Sequence, residues 1–212
     1  MPSPGSGAAY ARDMLGGGSR VMVASSNQGK LREFRELAAG LNLEIEPLHG
    51  FDSVAPFEEA AETFGENALG KALYYSALSD GIVMADDSGL VVPALGGAPG
   101  VRSARYAGPN ATSADRIAKL LYEMRDIPPG RREARFVCVI AVARQGRALA
   151  IISDSVSGEI VGEARGQGGF GYDPILLLPS LGQTMAELSP AQKNQYSHRG
   201  KAFTKLSQLL NS

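Results

Sequence analysis

The chain has 212 residues and a mass of 22.2 kDa, enough for one large domain or two small lobes. Its 21 Lys and Arg residues balance 22 Asp and Glu, so the net charge of -1 creates no field that favours nucleic acid or an anionic membrane. The longest apolar run, 137–143, is far shorter than the roughly 20 residues that span a bilayer. One cysteine and two histidines exclude an internal disulfide and disfavour a His-rich metal site, so any metal should have oxygen ligands.

This composition predicts a soluble, cytoplasmic protein, and residues 1–19 are expected to be an appendage to it. Residues 1–19 are rich in Gly, Ser and Pro and have little to bury, so we expect a disordered extension. No apolar stretch follows Arg12, so a secretory signal is not expected. Ordered structure should begin at Arg20.

Strands and helices alternate in the first part of the chain and a hairpin follows. Short apolar runs predict strands at 21–24, 43–46, 82–85, 136–143 and 148–153. Apolar residues three and four apart predict helices at 31–41, 63–78, 117–124 and after Arg199, with Thr63 as an N-cap. This order indicates an α/β fold with a mixed sheet. Ligands bind at the carboxyl ends of strands in such sheets, where the loops Ser25–Lys30 and Asp86–Gly89 are expected.

The first loop has the composition of a phosphate site. Backbone N–H groups at a helix start attract anions, and Lys30 adds a positive charge. The segment is not a Walker A loop, because Ala24 stands at the first glycine position and Leu31 at the Ser/Thr position. An ordinary capped helix start is the alternative.

Carboxylates dominate the second loop and a segment before it. Asp86 and Asp87 repel each other unless a cation or hydrogen-bond donors compensate them, and Mg²⁺ suits carboxylate oxygens. A turn in which the Asp side chains cap their own backbone is the alternative. Glu58 and Glu59 lie in an acidic segment that a solvated surface loop would also explain. Lys71 shares a helix face with Asn67, so a role in positioning phosphate or metal competes with exposed-face pairing.

Two later segments could contact a flat ligand. Gly166–Pro174 packs four glycines around Phe170 and Tyr172, either of which could stack on a base, although a simple bend between strands is the alternative. Lys193, His198 and Arg199 are basic, and the last two would lie in the first turn of the final helix, where the helix dipole disfavours cations. Their placement indicates an anionic or hydrogen-bonding ligand, with a surface histidine as the alternative.

Taken in order over residues 21 to about 210, these segments resemble the inosine triphosphate pyrophosphatase family, also called Ham1-like. The matching stretches are 24–30, 63–68 with 71–72, 85–90, 96–108, 168–175, 186–188 and 197–202. The resemblance implies one catalytic domain over residues 20–212, with a long mixed central sheet flanked by helices and two lobes around an active-site cleft. It also implies a homodimer and Mg²⁺-dependent hydrolysis of the purine nucleoside triphosphates dITP, ITP and XTP to the monophosphate and pyrophosphate.

The resemblance also assigns roles to individual residues. Asp87 matches the family's metal ligand and proton acceptor, and Glu58 a second metal position, with Glu59 as the alternative. The matched substrate-binding positions are Ser25, Ser26, Asn27, Gln28, Gly29, Lys30, Lys71, Ser88, Phe170, Gly171, Tyr172, Asp173, Lys193, His198 and Arg199. A pyrophosphatase of pyrimidine nucleotides, a nucleotide sensor without catalysis and a nucleic-acid-binding module are the competing hypotheses; the near-neutral charge disfavours the last.

Overall fold

The computed structural model describes residues 19–41 and 43–211. The first strand begins at Ser19, one residue before the expected start of order, and the rest of the predicted extension, residues 1–18, lies outside the described residues. No helix in the described ranges is both long enough and apolar enough to cross a membrane.

Seven strands form one mixed sheet in the order β2-β1-β3-β4-β5-β6-β7. The strands are β1 Ser19–Val23, β2 Leu43–Pro47, β3 Ile82–Val91, β4 Glu133–Arg144, β5 Arg147–Ile160, β6 Leu176–Leu178 and β7 Gln183–Thr184. The pairs β1–β2 and β1–β3 are parallel, whereas β5–β6 and β6–β7 are antiparallel. The predicted α/β class with a mixed central sheet is therefore confirmed.

Five α-helices accompany the sheet in the described residues. They are α1 Gln28–Ala38, α2 Phe64–Ala77, α3 Ser113–Glu123, α4 Pro190–Tyr196 and α5 His198–Asn211. Polar side chains begin these helices as the sequence predicts: the Thr63 hydroxyl accepts from the backbone N–H of Glu66 at the start of α2. Short 3-10 helices lie at Phe51–Ser53, Pro93–Leu95, Gly100–Arg105 and Asp173–Ile175.

The described chain divides into two compact units. The first unit contains the chain as far as Asp87, Val139–Ser153 and the chain from Ala202 onward, and the second contains Ser88–Cys138 and Asp154–Lys201. Each has its own apolar core. That of the first unit includes Ala68, Ala72, Tyr75, Val83, Ala85 and Ala141. That of the second includes Leu90, Leu120, Phe136, Tyr172, Ile175 and Met185.

One expectation about the sheet is wrong, because β3 does not end at Ala85. It continues through Asp86 and Asp87 to Val91, so the predicted loop 86–89 is strand. Successive side chains of a strand point to opposite faces, which separates the two carboxylates. Each also meets a polar partner, Lys30 for Asp86 and Asn67 for Asp87, so a strand can carry both charges.

Candidate active site

The register of β1 against β3 brings the Ser25–Lys30 loop beside Asp86. Val23 lies opposite Met84, and the chain then leaves the sheet into α1, whose N-cap is Asn27. The Asn27 side chain accepts from the backbone N–H of Lys30 at 3.2 Å, which fixes the first turn of the helix. The Lys30 Nζ lies 2.9 Å from Asp86 Oδ2, a carboxylate with 0% exposed side chain. This carboxylate compensates a cation at a helix start, where the helix dipole disfavours it.

The loop itself is open to solvent. The Ser25 hydroxyl accepts from the backbone N–H of Asn27 at 3.2 Å, while Ser26 and Gln28 are exposed and Gly29 is half-buried. A groove of about 450 Å³ is lined by residues of this loop together with Pro47, Leu48, Gly50, Phe51 and Ser53. The predicted phosphate contacts are therefore accessible.

Asn67 ties the Asp87 carboxylate to α2. Its side-chain amide is buried and donates to Asp87 Oδ2 at 3.1 Å and to the carbonyl of Ala61 at 3.2 Å. The amide oxygen accepts from the backbone N–H of Ala61 at 3.1 Å. Asn67 therefore fixes Asp87 and the segment before α2 in one set of hydrogen bonds.

Lys71 lies one turn further along the same helix face. Its ammonium pairs with the Glu59 carboxylate and donates to the backbone carbonyl of Asp86 at 3.1 Å. Burial would lower the pKa of Lys71, but the negative charges of Asp86 and Glu59 outweigh it and raise that pKa. Lys71 is therefore a firmly charged cation among carboxylates.

The segment Ala55–Ala61, which carries both candidate glutamates, is held against α2 by aromatic side chains. The Tyr74 hydroxyl donates to the Ala55 carbonyl at 3.0 Å, and the Tyr75 hydroxyl accepts from the Phe57 N–H at 3.2 Å. The Phe57 ring lies where a Cβ on Gly70 would come within 2.6 Å of it, so any larger residue at that position would have to displace the ring. These contacts fix the segment although it has no regular secondary structure.

Of the two glutamates in this segment, Glu59 faces the site. Its carboxylate pairs with Lys71, and its negative charge contributes to the raised pKa of Asp87. The Glu58 side chain is exposed. The sequence leaves the choice of metal ligand between them open, and the structure pairs Glu59 with Lys71 while Glu58 is exposed.

Asp87 has the electrostatic environment of a proton acceptor. Burial raises the pKa of Asp87 to about 6, although the positive charge of Lys30 opposes the shift and the Glu59 charge adds to it. Asp87 as a residue is 5% exposed. A carboxyl tuned toward neutrality in this way is typical of a general base.

The donor set also fits a hard divalent cation. Among residues 19–41 and 43–211, no three His, Cys, Asp or Glu side chains come together as a ready metal site. Mg²⁺ needs fewer protein ligands, since it binds through one or two carboxylates and takes its other oxygens from water and substrate phosphates. Glu59 and Asp87 supply that number.

In the second unit, Asp173 organises the glycine-rich loop. Its Oδ2 accepts from the Phe170 N–H at 2.8 Å and lies 2.6 Å from Lys193 Nζ, both side chains being nearly buried. A Cβ on Gly169 would run into the Asp173 carboxylate, which explains the glycine there. The loop is thus folded around one buried ion pair.

Two cations flank the Phe170 ring. Lys193 Nζ lies 5.1 Å and the Arg199 guanidinium 5.4 Å from its centroid, within the range of cation–π attraction. Arg199 is 2% exposed and donates to the Ser88 hydroxyl at 3.0 Å. Phe170 is itself half-buried, so these contacts do not enclose the residue fully.

His198 and Tyr172 are more deeply placed than surface residues. The His198 ring stacks on Phe136 at a centroid distance of 4.9 Å and an angle of 19°. Ser197 begins α5 as expected, its hydroxyl accepting from the Gly200 N–H at 2.9 Å. Tyr172 is buried, and its hydroxyl donates to the Ser103 carbonyl at 3.1 Å.

The predicted residues thus form two groups, one in each unit. The first unit assembles Ser25–Lys30, Lys71 and Asp87, and the second assembles Ser88, Phe170–Asp173, Lys193, His198 and Arg199. The sequence offered Asp86 only as a possible cation ligand beside Asp87 and noted Asn67 on the face of Lys71, and it gave no role to Phe136 or Ser103. The signal for Ser103 was its place in the glycine-rich stretch 96–108.

Comparisons with known proteins agree over nearly the whole described chain. The family model described as Ham1 family matches residues 21–209. The chain is 50% identical to a dITP/XTP pyrophosphatase of Geobacillus kaustophilus over 186 residues, 88% of this chain and 91% of that protein. It is 46% identical to a dITP/XTP pyrophosphatase of Bacillus cereus over 193 residues, 90% of this chain and 94% of that protein. It is also similar to the structure of a HAM1 protein from Coxiella burnetii, with a TM-score of 0.81 and 43% identity over 91% of this chain and 98% of that one.

Proposed function

Because this chain belongs to the Ham1 family, we propose that it hydrolyses dITP, ITP and XTP to the nucleoside monophosphate and pyrophosphate. Relatives named dITP/XTP pyrophosphatase at 50% and 46% identity support this substrate class. The observation that carries the proposal is the buried cluster in which Asp87 lies among two lysines and a second carboxylate. The role is removal of deaminated purine nucleotides from the nucleotide pool.

We propose Asp87 as the proton acceptor for the attacking water. Its pKa of about 6 leaves it ionised at neutral pH, and Asn67 orients the carboxylate by donating to Oδ2. A base held in this way can take the proton of a water positioned for in-line attack on the α-phosphorus. Pyrophosphate is then the leaving group.

The two lysines supply positive charge for the triphosphate. Lys30 and Lys71 are each held by groups of Asp86, one by its carboxylate and the other by its carbonyl. Fixed cations stabilise the charge that develops during phosphoryl transfer more effectively than mobile ones, because no reorganisation is needed as the reaction proceeds. The Ser25–Gly29 loop, in which Ser26 and Gln28 are exposed, would complete the phosphate contacts.

We propose Mg²⁺ as the cofactor, with Glu59 and Asp87 as its protein ligands in place of the Glu58 and Asp87 pair. Bound there, the ion would lower the pKa of a coordinated water and neutralise phosphate charge. Glu58→Gln and Glu59→Gln form a matched pair of variants. We expect MgCl2 to raise the melting temperature of the wild type; Glu59→Gln should remove that rise and Glu58→Gln should retain it. The opposite result would restore Glu58 as the ligand.

Base selection is assigned to the second group of residues. Phe170 offers a half-open ring for stacking, and Lys193, His198 and Arg199 carry donors that suit the 6-oxo group of hypoxanthine or xanthine. Adenine would present an amino group to the same donors, and unpaired buried donors carry a large penalty.

We further propose a cytoplasmic homodimer, which rests on the family resemblance and which light scattering after gel filtration would check.

The deciding experiment is a nucleotide panel with Mg²⁺ and identification of the products. We expect dITP, ITP and XTP to be the best substrates and pyrophosphate to be released. Faster turnover of dUTP or dTTP would replace the purine assignment with the pyrimidine one. Release of orthophosphate would overturn the reaction class.

A further inference from the structure

Ser103 is the centre of a small hydrogen-bond system in the second unit. It lies in the 3-10 helix Gly100–Arg105 and is 7% exposed. Its hydroxyl donates to the Gly100 carbonyl at 2.6 Å and accepts from the Leu90 N–H of β3 at 2.9 Å. This one hydroxyl therefore closes the turn and docks it on the strand.

The carbonyl of the same residue receives the Tyr172 hydroxyl at 3.1 Å. Tyr172 is 3% exposed, and its ring belongs to the core cluster that also contains Leu90 and Ile175. Burial raises the pKa of Tyr172, so the phenol remains protonated and continues to donate. A buried ring with its hydroxyl occupied has no surface left to offer a nucleobase.

The backbone on both sides of Tyr172 is closed by short-range hydrogen bonds. The Asp173 N–H donates to the Phe170 carbonyl at 3.3 Å, and the Ile175 N–H donates to the Tyr172 carbonyl at 3.0 Å. The Phe170 N–H donates to the Asp173 carboxylate. Any displacement of Tyr172 therefore moves Phe170, two residues away, within a loop that has little freedom to absorb it.

We propose that Tyr172 and Ser103 are positioning residues that hold Phe170 in place through the hydroxyl-to-carbonyl bond, and that Tyr172 does not itself contact substrate. This deepens the proposed function and rests on it, since the base that Phe170 stacks on is the purine of that proposal. The 96–108 stretch thereby gains a role, that of a support beneath the Phe170–Asp173 loop. Removing the Tyr172 hydroxyl leaves the ring in the core and takes away only the tie to Ser103.

The test compares Tyr172→Phe with Tyr106→Phe, which removes a hydroxyl from the same unit. The Tyr106 hydroxyl bonds to Glu123 of α3, and no hydrogen bond joins it to Ser103 in the described residues. Hydrogen exchange on the protein without ligand should be faster at amides 168–173 in Tyr172→Phe and unchanged there in Tyr106→Phe. Ser103→Ala, which keeps the carbonyl but removes the hydroxyl, should speed exchange in both the 100–105 turn and the loop.

Kinetics then separate base positioning from general damage. Tyr172→Phe should raise KM for dITP about three- to tenfold, the range set by one buried hydrogen bond, with kcat nearly unchanged. The inhibition constant of inorganic tripolyphosphate, which has no base, should stay at the wild-type value. Unchanged exchange at 168–173, or an equal loss for tripolyphosphate, would overturn the inference. A wild-type enzyme that does not hydrolyse dITP would overturn the proposed function instead, and the exchange result would still decide the positioning role.

Discussion

A side chain added at position 169 should destabilise the glycine-rich loop far more than one added at position 171. Gly169 has φ +72° and Gly171 has φ +64°, so alanine at either position pays the same left-handed backbone penalty. Only at Gly169 would the added Cβ run into the Asp173 carboxylate and approach Lys193 Nζ to 2.8 Å; at Gly171 nothing lies within 4 Å. Gly171→Ala is therefore a matched control for the backbone term.

The magnitude follows from these two contributions. A non-glycine residue in the left-handed region costs about 1–2 kcal/mol, which both variants should lose in free energy of unfolding. Separating the buried Lys193–Asp173 pair, whose atoms lie 2.6 Å apart, costs about 3–5 kcal/mol when a charge is left without its partner. The carboxylate can retreat part of the way, so we expect Gly169→Ala to be less stable than Gly171→Ala by about 3 kcal/mol.

Urea unfolding followed by circular dichroism measures this difference directly. The free energy of unfolding should fall with urea concentration at the same slope in both variants, and the urea concentration at the midpoint of unfolding should be lower for Gly169→Ala. If the two free energies of unfolding agree within about 0.5 kcal/mol, the position of the Asp173 carboxylate does not depend on the absence of a Cβ at residue 169. The account of the loop as folded around that ion pair would then be refuted.

Asp87→Asn should abolish pyrophosphate release while leaving the far-ultraviolet circular dichroism unchanged, because the side-chain amide fills the same space without accepting a proton; wild-type turnover would remove Asp87 from the mechanism. Lys30→Met should cost about 3 kcal/mol of unfolding free energy, since it takes the ammonium away from the fully buried Asp86 carboxylate. Urea unfolding checks this, and a loss below 1 kcal/mol would show that the pair stabilises little. Arg199→Ala should reduce the preference for dITP over dATP in kcat/KM more than it weakens tripolyphosphate inhibition, and equal losses would limit Arg199 to phosphate binding.

The fold class was predictable because its signals are local. Apolar periods of two and of 3.6 residues identified the strands and helices, and the Gln145-Gly146 pair marked the β4–β5 turn, where both residues have positive φ. The strands proved longer than predicted, β5 extending to Ile160. Charged and polar residues in its second half hid the extension from a hydropathy pattern.

The error at Asp86 and Asp87 has a specific physical origin. Two adjacent carboxylates predict a turn, because burying an unpaired charge in a sheet costs free energy. The groups that compensate them, Lys30 and Asn67, are 56 and 20 residues away in sequence and come near only once the helices pack. No local pattern could have predicted that the strand continues.

The same reasoning applies to the choice between glutamates and between aromatic rings. Glu58 and Glu59 are neighbours in a segment without periodicity, so tethers from α2 decide which one meets Lys71. Phe170 and Tyr172 are equally suited to stack on a base by composition. In the structure only Tyr172 of the two packs in the apolar core, where its hydroxyl bonds to Ser103, 69 residues away.

The contacts between α2 and the segment Ala55–Ala61 also limit where this chain can gain or lose a residue. One face of α2 contacts the segment Ala55–Ala61, which has no regular secondary structure. The residues on this face are Asn67, Gly70, Lys71, Tyr74 and Tyr75. One residue inserted midway along α2 would rotate the following part of the helix by about 100°. The contacts made after the insertion would then face away from the segment, whereas those made before it would remain. A residue gained or lost within α2 would therefore separate the Glu59 carboxylate from Lys71, so we expect this helix to tolerate no such change in its length.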